Sequence, residues 1–511
     1  MPQNLTMHPS YFGKHTPDTV CAVFAQDGST LTYGELERSA NRGARLLRGL
    51  GLREGRSLVF CLENDPSFLT VALAAQRIGV YFTPVSTRAT AEELAYIVAD
   101  SQADVLVLSS EKAAALQGLD TLVDPAVHRV ACGRDVAGYL NWQRAAQSFT
   151  TDALTDPVCG EVLLYSSGTT GKPKGIKRPV ASRAYDAADP RIARLGERCN
   201  RDSVFLSTSP LYHSAPYRYA CAVLATGGKL VVMPRFDPEA ALQLIEQYRC
   251  TDSLWVPTMF ARLLRVPDDV RRRFDLSSMR LAVHGAAACP IHVKEAMIAW
   301  WGPILYEVYA GTEGVGQCGI DSAEWITHKG SVGRPVDPPA RILDDNWQEL
   351  GAGQVGTIYF EGTGNFSYHG DQAKTDAATS PQGWRTYGDV GYLDSDGYLY
   401  LTGRKSFTII TGGVNVYPQE VEDVLAMHPA VADCAVFGVP DDDMGEQVKA
   451  VVQTVNTQDA GPTLAQELMQ WCRGKLSGIK CPRTIDFDAE LPREPNGKLY
   501  KLRLQQRYAK Q

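Results

Sequence analysis

The stretch Tyr165-Ser-Ser-Gly-Thr-Thr-Gly-Lys-Pro-Lys-Gly175 follows a short strand-like run at 162–165. Its glycines let the backbone turn tightly and approach a ligand closely, and its hydroxyls and lysines suit the oxygens of a polyphosphate. It is not a Walker A loop, because Pro173 follows Lys172 and no hydroxyl is placed there to hold magnesium. The alternative is a Ser/Gly loop without a ligand. The pattern favours a phosphate loop made of Ser166, Ser167, Gly168, Thr169, Thr170, Gly171, Lys172 and Lys174.

The segments on either side of this loop alternate between strand and helix patterns. Apolar runs of strand length at 58–62, 80–85 and 105–108 are separated by helical patterns, and similar runs continue to 281–283. This alternation predicts a largely parallel sheet with helices on both faces. From Gly330 onward, frequent glycines punctuate short strands, which predicts an antiparallel, barrel-like segment.

A new alternation of strands and helices begins near Arg404, and about a hundred residues are enough for a small separate domain. The predicted fold class is therefore α/β. It has a large N-terminal α/β domain at 1–403, with parallel sheets and the barrel-like segment, a hinge at 404–406, and a small α+β domain at 407–511.

Composition excludes several classes of protein. The 511 residues are 44% hydrophobic and 21% charged with a net charge of −7, so neither disorder nor a dominant nucleic-acid-binding face is indicated. No run approaches the roughly 18 apolar residues of a membrane span, and no signal-peptide pattern precedes the first strand. The 12 scattered cysteines lack metal-site spacing and favour reduced thiols. We expect a cytoplasmic protein without nucleic-acid or integral membrane partners, and a homodimer is left open.

Several motifs, in order along the chain, resemble those of the adenylate-forming superfamily. Besides the phosphate loop, they are Tyr309-Ala-Gly-Thr-Glu313, Tyr387-Gly-Asp-Val-Gly391 with Gly403-Arg404, the run at 411–422, and Leu491-Pro-Arg-Glu-Pro-Asn-Gly-Lys498. The run Trp255-Val-Pro-Thr-Met-Phe-Ala-Arg-Leu-Leu and the pair Trp300-Trp301 look like the acyl-CoA synthetase branch that handles fatty, steroid or terpenoid acids.

The resemblance implies an acid–thiol ligase that uses ATP, Mg²⁺ and coenzyme A. A carboxylate is first joined to the α-phosphate of ATP with release of pyrophosphate. A thiol then attacks the acyl carbon and releases AMP. Because the first step brings two anions together, aligned donors and cations should dominate the site. In this family the small domain is a mobile lid that rotates between the two half-reactions.

Residue roles follow from the same resemblance. Lys498, Thr312, Glu313 and His213 would be catalytic, and Glu313 would also ligate the metal. For His213, the competing interpretation is a histidine with a purely structural role. The AMP-binding set would be Gly285, Ala286, Ala287, Tyr309, Ala310, Gly311, Thr312, Asp389 and Arg404, with Tyr309 on adenine and Asp389 on the ribose. Ser406 would be the hinge, and Gly412 and Gly413 would face coenzyme A. The acyl pocket would be formed by Tyr212, His213, Tyr217 and Trp255. For these four residues the competing interpretation is that they pack in the core.

Three positions depart from the family pattern. Ala310 stands at a usual glycine, Tyr387 at a usual threonine, and Ser406 at a hinge position where Asp or Lys is typical. None of the three removes a charge needed for phosphoryl chemistry. Ser406 could alter the balance between the two domain poses, which leads to the hypothesis that adenylation is impaired while thiolation is retained.

The acid itself is weakly specified. A bulky alicyclic or polycyclic acid, such as a terpenoid or steroid-like one, is preferred over a fatty or aromatic acid. A diacid is less favoured, since no basic residue clearly marks a second carboxylate. Two alternative functions remain, a stand-alone adenylation enzyme that loads a carrier protein and a catalytically silent nucleotide-binding regulator.

Overall fold

The architecture is given by a computed structural model that describes residues 8–166, 173–180, 185–187, 189–362, 366–493 and 499–508. The predicted phosphate-loop residues 167–172 and Lys498 lie outside these ranges, as does the side chain of Ser166. The described helices are Pro9–His15, Tyr33–Gly49, Pro66–Gln76, Ala91–Asp100, Ser110–Ala115, Leu119–Leu122, Trp142–Gln147, Pro190–Gly196, Ser214–Thr226, Pro238–Tyr248, Pro257–Arg265, Asp268–Arg271, Ile291–Trp301, Ser322–Thr327, Gln372–Ala377, Pro418–Ala426, Pro462–Arg473 and Lys501–Tyr508.

One parallel sheet is built from the N-terminal part of the chain, as the alternating pattern predicts. In spatial order its strands are Leu140–Asn141, His128–Cys132, Ala103–Ser109, Ser57–Cys61, Tyr81–Pro84 and Glu161–Val162. The run predicted at 58–62 is thus the central strand Ser57–Cys61, buried along its whole length. The neighbouring helix Pro66–Gln76 is apolar on nearly every side, because it too is enclosed.

A second, larger sheet carries the parallel strands that lead into the candidate site. In spatial order its strands are Ala340–Leu343, Gly356–Phe360, Asp389–Leu393, Leu399–Arg404, Ser331–Pro335, Gln317–Asp321, Leu305–Ala310, Leu281–Gly285, Asp252–Trp255, Val204–Ser207, Lys229–Val232, Val20–Phe24 and Thr30–Thr32. The strands from Gln317 to Arg404 pair antiparallel, as predicted. These strands continue the edge of the parallel sheet in one open order. Among the described strands they do not close into a barrel, although a barrel-like segment was predicted.

A short three-stranded sheet links the predicted phosphate loop to the rest of the large domain. It consists of Ser367–Tyr368, Lys174–Lys177 and Leu164–Ser166. Leu164–Ser166 and Lys174–Lys177 pair antiparallel with Ser166 opposite Lys174. The two strands therefore bracket the glycine-rich stretch from both ends.

The residues beyond the predicted hinge form a small domain with its own core. Its sheet contains Val414–Val416, Ile409–Thr411, Gly445–Thr454, Val431–Asp441 and Thr484–Phe487. Val421, Val436 and Leu468 are fully buried in a cluster made only of residues after 406. The domain touches the large one where the Arg265 guanidinium donates to the Ala432 carbonyl over 2.6 Å. None of the helices in the described ranges has the length and apolar character needed to cross a bilayer.

Candidate functional site

Neighbouring parallel strands of the larger sheet end at one large cavity. Leu281–Gly285 and Leu305–Ala310 run side by side in parallel, and ligands of open α/β sheets bind beyond the carboxyl ends of such strands. The cavity has a volume of about 1250 Å³, and Ala286 and Gly311, which follow these two strands, form part of its wall. This volume exceeds the about 300–1,000 Å³ of an ordinary small-molecule pocket, so it offers room for more than one substrate.

Many of the residues singled out from the sequence meet at this cavity. Those that border it are Tyr212, His213, Trp255, Gly285, Ala286, Ala310, Gly311, Thr312, Glu313, Arg404 and Ser406. Ala286 adopts a left-handed backbone conformation with φ of 67°, which a residue with a Cβ adopts only at some energetic cost. The motifs at 285–287 and 309–313 and the predicted hinge therefore share one site.

Other predicted residues lie away from the cavity wall. Among the described residues, Lys174, Tyr217, Ala287, Tyr309, Asp389, Gly412 and Gly413 do not border it. Ser167, Gly168, Thr169, Thr170, Gly171, Lys172 and Lys498 fall outside the described ranges. Tyr309 and Asp389 nevertheless lie immediately behind the wall, because both contact residues that border the cavity.

Asp389 is buried between two residues that sequence analysis assigned to nucleotide binding. The Tyr309 hydroxyl donates to Asp389 Oδ2 over 2.7 Å, and Arg404 Nε donates to Asp389 Oδ1 over 2.7 Å. Burial and then the nearby carboxylate raise the pKa of Tyr309 well above its usual value, so the phenol stays protonated and can donate. The Asp389 charge raises the pKa of Arg404. Each carboxylate oxygen keeps lone-pair capacity for one further donor.

The backbone of the turn at Thr312 and Glu313 is held by arginine side chains that also border the cavity. Arg178 Nη2 donates to the Glu313 carbonyl over 2.7 Å and to the Thr312 carbonyl over 3.2 Å. A Cβ on Gly314 would overlap this guanidinium, so glycine is required there for the contact. Thr312 and Glu313 both border the cavity, so the arginine contacts fix the backbone of a segment of its wall.

The Glu313 carboxylate suits a magnesium ion shared with a phosphate-bearing ligand. It borders the cavity and accepts a hydrogen bond from the Tyr368 hydroxyl over 2.9 Å. Within the described ranges no three His, Cys, Asp or Glu side chains are grouped to hold a metal. Mg²⁺ commonly uses one or two carboxylates together with substrate phosphates and water. A single glutamate at the cavity wall fits that ligand set, and the ion would neutralise phosphate charge.

Tyr387 stands where the family pattern usually has threonine, and its larger ring packs against a glycine, Gly311, of the adjacent turn. A Cβ on Gly311 would overlap the Tyr387 ring. The Tyr387 hydroxyl donates to the Gly316 carbonyl over 2.7 Å and accepts from the Gly316 amide over 3.2 Å. Tyr387 therefore packs against Gly311 of the motif at 309–313 and is bonded to Gly316, which follows that motif. Burial raises the pKa of Tyr387 to about 12, so this hydroxyl keeps its proton at neutral pH.

The predicted acyl-pocket residues divide between the cavity wall and the core. His213 precedes the helix Ser214–Thr226 and its ring lies 4.7 Å from that of Tyr212. Trp255 borders the cavity but is fully buried, and its indole N–H donates to Ser253 Oγ over 2.6 Å. Tyr217 packs against Phe82 instead. The competing interpretation of core packing thus accounts for most of the contacts of Trp255 and Tyr217.

The end of the phosphate-loop motif has structural partners. Lys174 Nζ forms an ion pair with Asp371 Oδ2 at 2.8 Å, which raises the pKa of the lysine. Its partner is 197 positions distant, so no local pattern could have identified it. A Cβ on Gly175 would lie 3.1 Å from the ring of Tyr165. Gly175 therefore permits close packing of its own hairpin.

Sequence analysis missed four arginines at the cavity, Arg178, Arg191, Arg194 and Arg218, and the first and last of them contact the Thr312 turn. Arg178 directly follows the strand Lys174–Lys177, and Arg218 lies in the helix Ser214–Thr226. Isolated basic residues carry no signature in a sequence. Only their proximity to the Thr312 turn distinguishes them from solvated surface charges.

Comparison with known proteins matches nearly the whole chain. Residues 11–368 match the family model of AMP-binding enzymes, and residues 420–498 match that of the AMP-binding enzyme C-terminal domain. A feruloyl-CoA synthase of Amycolatopsis sp is 32% identical over 94% of both chains. An indoleacetate–CoA ligase of Aromatoleum aromaticum is 30% identical over 92% of both chains. The crystal structure of ATP-bound MatB from Rhodopseudomonas palustris superposes with a TM-score of 0.81 at 26% identity, over 98% of this chain and 99% of that one.

Proposed function

Because the chain belongs to the family of AMP-binding enzymes and is an acid–thiol ligase within it, we propose that it converts a bulky, ring-containing hydrophobic acid to its coenzyme A thioester. A carboxylate oxygen of the acid attacks the α-phosphorus of ATP, and the bond to pyrophosphate breaks. The coenzyme A thiol then forms a C–S bond to the acyl carbon, loses its proton, and releases AMP. The observation that carries the proposal is the single cavity at which the Thr312 turn, Arg404 and the aromatic wall meet.

The proposed acid class rests on the lining of the cavity. The cavity wall includes aromatic and branched apolar side chains, namely Tyr212, Tyr219, Leu254, Val256 and Val283. Such a wall suits a rigid hydrophobic ring. Two relatives are named for acids with aromatic rings, ferulate and indoleacetate. Alicyclic and polycyclic acids fit the same wall, and they are the preferred members of the class.

A screen of carboxylic acids tests the proposal. The protein is incubated with ATP, Mg²⁺, coenzyme A and single acids from alicyclic, polycyclic, aromatic and fatty series, and thioesters are detected by mass spectrometry. We expect the highest kcat/KM with ring-containing acids. A clear preference for straight-chain acids would contradict the acid class. Acyl transfer to a holo-carrier protein without transfer to coenzyme A would instead favour the carrier-loading alternative.

Asp389 is proposed to accept the ribose hydroxyls of the nucleotide. Asp389→Asn keeps the shape but removes the charge and one acceptor oxygen, and hydrogen bonds to a charged group are worth about 1.5–3 kcal/mol. We expect kcat/KM for ATP to fall about 10- to 100-fold, with the KM for the acid nearly unchanged. Tyr309→Phe, which removes only the hydroxyl that donates to Asp389, is the matched control and should lose less. A rise in the KM for the acid alone would contradict this role.

We also propose that the two half-reactions are unequally efficient because of Ser406. This residue is exposed in the short turn Lys405–Phe407, and the Lys405 amide donates to the Gly388 carbonyl over 2.9 Å. Ser406 brings no charge that could favour one pose of the small domain. Since an exposed ionic contact is worth about 0.2–1 kcal/mol, Ser406→Asp should change the ratio of the two rates by up to about fivefold.

The measurement compares product formed from ATP plus free acid with product formed from a supplied acyl-adenylate, each with coenzyme A. Wild type should be slower in the first assay, and Ser406→Asp should narrow the difference. Ser395→Asp, which adds the same charge to an exposed turn away from the cavity, should change neither rate. Equal wild-type rates in the two assays would remove the hypothesis.

A further inference from the structure

A lysine that sequence analysis did not single out borders the cavity beside Glu313. Lys374 lies in the short helix Gln372–Ala377, whose last residue also lines the cavity. The Lys374 ammonium nitrogen lies 4.1 Å from the centre of the Tyr368 ring, and the hydroxyl of that tyrosine donates to Glu313 Oε1 over 2.9 Å. One tyrosine ring therefore separates the lysine from the carboxylate that suits magnesium.

The helix that carries Lys374 is fixed to the scaffold of the predicted phosphate loop. Asp371 caps the start of this helix, where its Oδ1 accepts from the Lys374 amide over 3.0 Å, and its Oδ2 pairs with Lys174 Nζ at 2.8 Å. The Tyr368 amide donates to Thr375 Oγ1 over 3.0 Å, which ties the helix to the strand beside the one that Lys174 begins. Asp371 thus holds both Lys374 and the end of the phosphate-loop motif in place.

Lys374 forms no ion pair with a carboxylate of the described residues, although two acids lie near it. One of them, Glu313, accepts from the Tyr368 hydroxyl. The other, Asp371, is paired with Lys174. Burial lowers the pKa of Lys374, and Glu313 opposes that change. An ammonium carries three N–H donors, and the tyrosine ring occupies only part of them, so Lys374 can donate to a further ligand.

The terminal phosphates of ATP are expected at this end of the cavity. The proposed reaction places the α-phosphate at the Thr312 turn and the β- and γ-phosphates on the glycine-rich loop. These two features adjoin Lys374, because Glu313 follows Thr312 in the cavity wall and the loop motif ends at Lys174 beside Asp371. A cation at this point faces the phosphates that leave as pyrophosphate, whose negative charge grows as the bond to the α-phosphate breaks.

We propose that Lys374 binds the β- and γ-phosphates of ATP and stabilises pyrophosphate as it leaves. The inference rests on the proposed function and adds to it a residue outside the motifs that sequence analysis singled out. An ammonium is a compact point charge that suits phosphate oxygens. Its attachment through Asp371 and Tyr368 keeps it in place, so little reorganisation is needed during the reaction. The contact belongs to the adenylate-forming half-reaction, because pyrophosphate has left before the thiol attacks.

Ligand binding tests the contact without turnover. Pyrophosphate, a non-hydrolysable ATP analogue and AMP are each titrated calorimetrically into wild type and Lys374→Met, with and without Mg²⁺. Lys374→Met should weaken binding of the first two ligands by about 10- to 100-fold, the worth of hydrogen bonds to a charged group, and leave AMP within about twofold. Lys374→Arg, which keeps the charge, should recover part of the loss.

Lys177→Met is the matched control, because the Lys177 ammonium also lies over a tyrosine ring, 4.6 Å from the centre of Tyr81, but does not border the cavity. It should change none of the three affinities. A loss in Lys374→Met that appears only with Mg²⁺ would mean that Lys374 acts through Glu313, and it would overturn the direct contact. Equal losses for pyrophosphate and AMP, or a lowered melting temperature that Lys374→Arg does not restore, would overturn it by assigning Lys374 a structural role.

Kinetics separates this proposal from the proposed function. In Lys374→Met, kcat/KM for ATP should fall about 10- to 100-fold, while thioester formation from supplied acyl-adenylate stays within about threefold of wild type. Pyrophosphate binding that depends on Lys374, with no ring-containing acid converted by wild type, would retain the contact and reject the proposed acid class. Conversion of such acids by Lys374→Met with an unchanged kcat/KM for ATP would do the reverse.

Discussion

Replacing Lys498 with alanine is expected to slow formation of the acyl-adenylate by about 10²- to 10³-fold, the usual cost of removing one preorganised electrostatic group from a transition state. In the first half-reaction a carboxylate approaches a phosphate, and a compact ammonium can contact oxygens of both. Lys498 ends the motif Leu491–Lys498 that resembles the family's terminal lysine motif. Although it lies outside the described residues, Arg493 and Leu499 on either side of it are paired by an antiparallel bridge.

The second half-reaction separates a catalytic role from a structural one. Thioester formation from supplied acyl-adenylate and coenzyme A should proceed within about threefold of wild type, because no two anions need to be joined in that step. Pyrophosphate release and thioester production are the two readouts. Lys475→Ala removes an exposed lysine of the same domain and should affect neither. Equal losses in both half-reactions of Lys498→Ala would mean that Lys498 supports the fold of the small domain.

Local patterns in the sequence identified the elements that lead into the cavity. The alternating runs correspond to parallel strands such as Ser57–Cys61 and Leu281–Gly285, because a strand enclosed on both faces must be apolar throughout. The motif at 309–313 was identified because its residue types are unusual in combination. Asp389, which accepts a hydrogen bond from Tyr309, was identified in the same way from the motif at 387–391. The sequence does not show that these two motifs lie side by side, because antiparallel pairing across the larger sheet brings them together.

What could not be predicted depends on contacts between distant segments. The Lys174–Asp371 ion pair and the packing of Gly311 against Tyr387 involve residues far apart in the chain. Trp255 resembles a pocket residue in sequence, yet its side chain is fully buried beside Trp301. Arg178 and Arg218 are ordinary residues locally, and only the fold brings both of them to the Thr312 carbonyl. Sequence patterns record periodicity and composition, whereas contacts between distant side chains are a property of the folded molecule.

A buried ion pair beneath the site gives the largest expected effect on stability. Lys294 is fully buried, and its ammonium lies 2.6 Å from Glu307 Oε2 and 4.7 Å from the centre of the Trp325 ring. Burial raises the pKa of Glu307, and Lys294 opposes that rise. Burial also lowers the pKa of the adjacent His284 well below its usual value, so this imidazole is neutral and cannot replace the lysine. Lys294 is therefore the cation that allows Glu307 to remain ionised.

Lys294→Met should lower the free energy of unfolding by about 3–5 kcal/mol, because it leaves the Glu307 carboxylate buried without a partner. Urea-induced unfolding followed by tryptophan fluorescence measures the change. Lys294→Met combined with Glu307→Gln should recover most of the loss, since an uncharged pair carries no such desolvation cost. Lys329→Met is the control, because Lys329 and Glu295 form an exposed pair worth at most about 1 kcal/mol.

Activity should respond to the same change through the strand Leu305–Ala310, which carries Glu307 at its centre and Tyr309 near its end. A displaced strand would move the Tyr309 hydroxyl away from Asp389, so the KM for ATP should rise in Lys294→Met while the double variant restores it. If instead both the single and the double variant are as stable as wild type, the Lys294–Glu307 pair contributes nothing to the fold. In that case the position of Tyr309 depends on its packing with Phe360 and Tyr387.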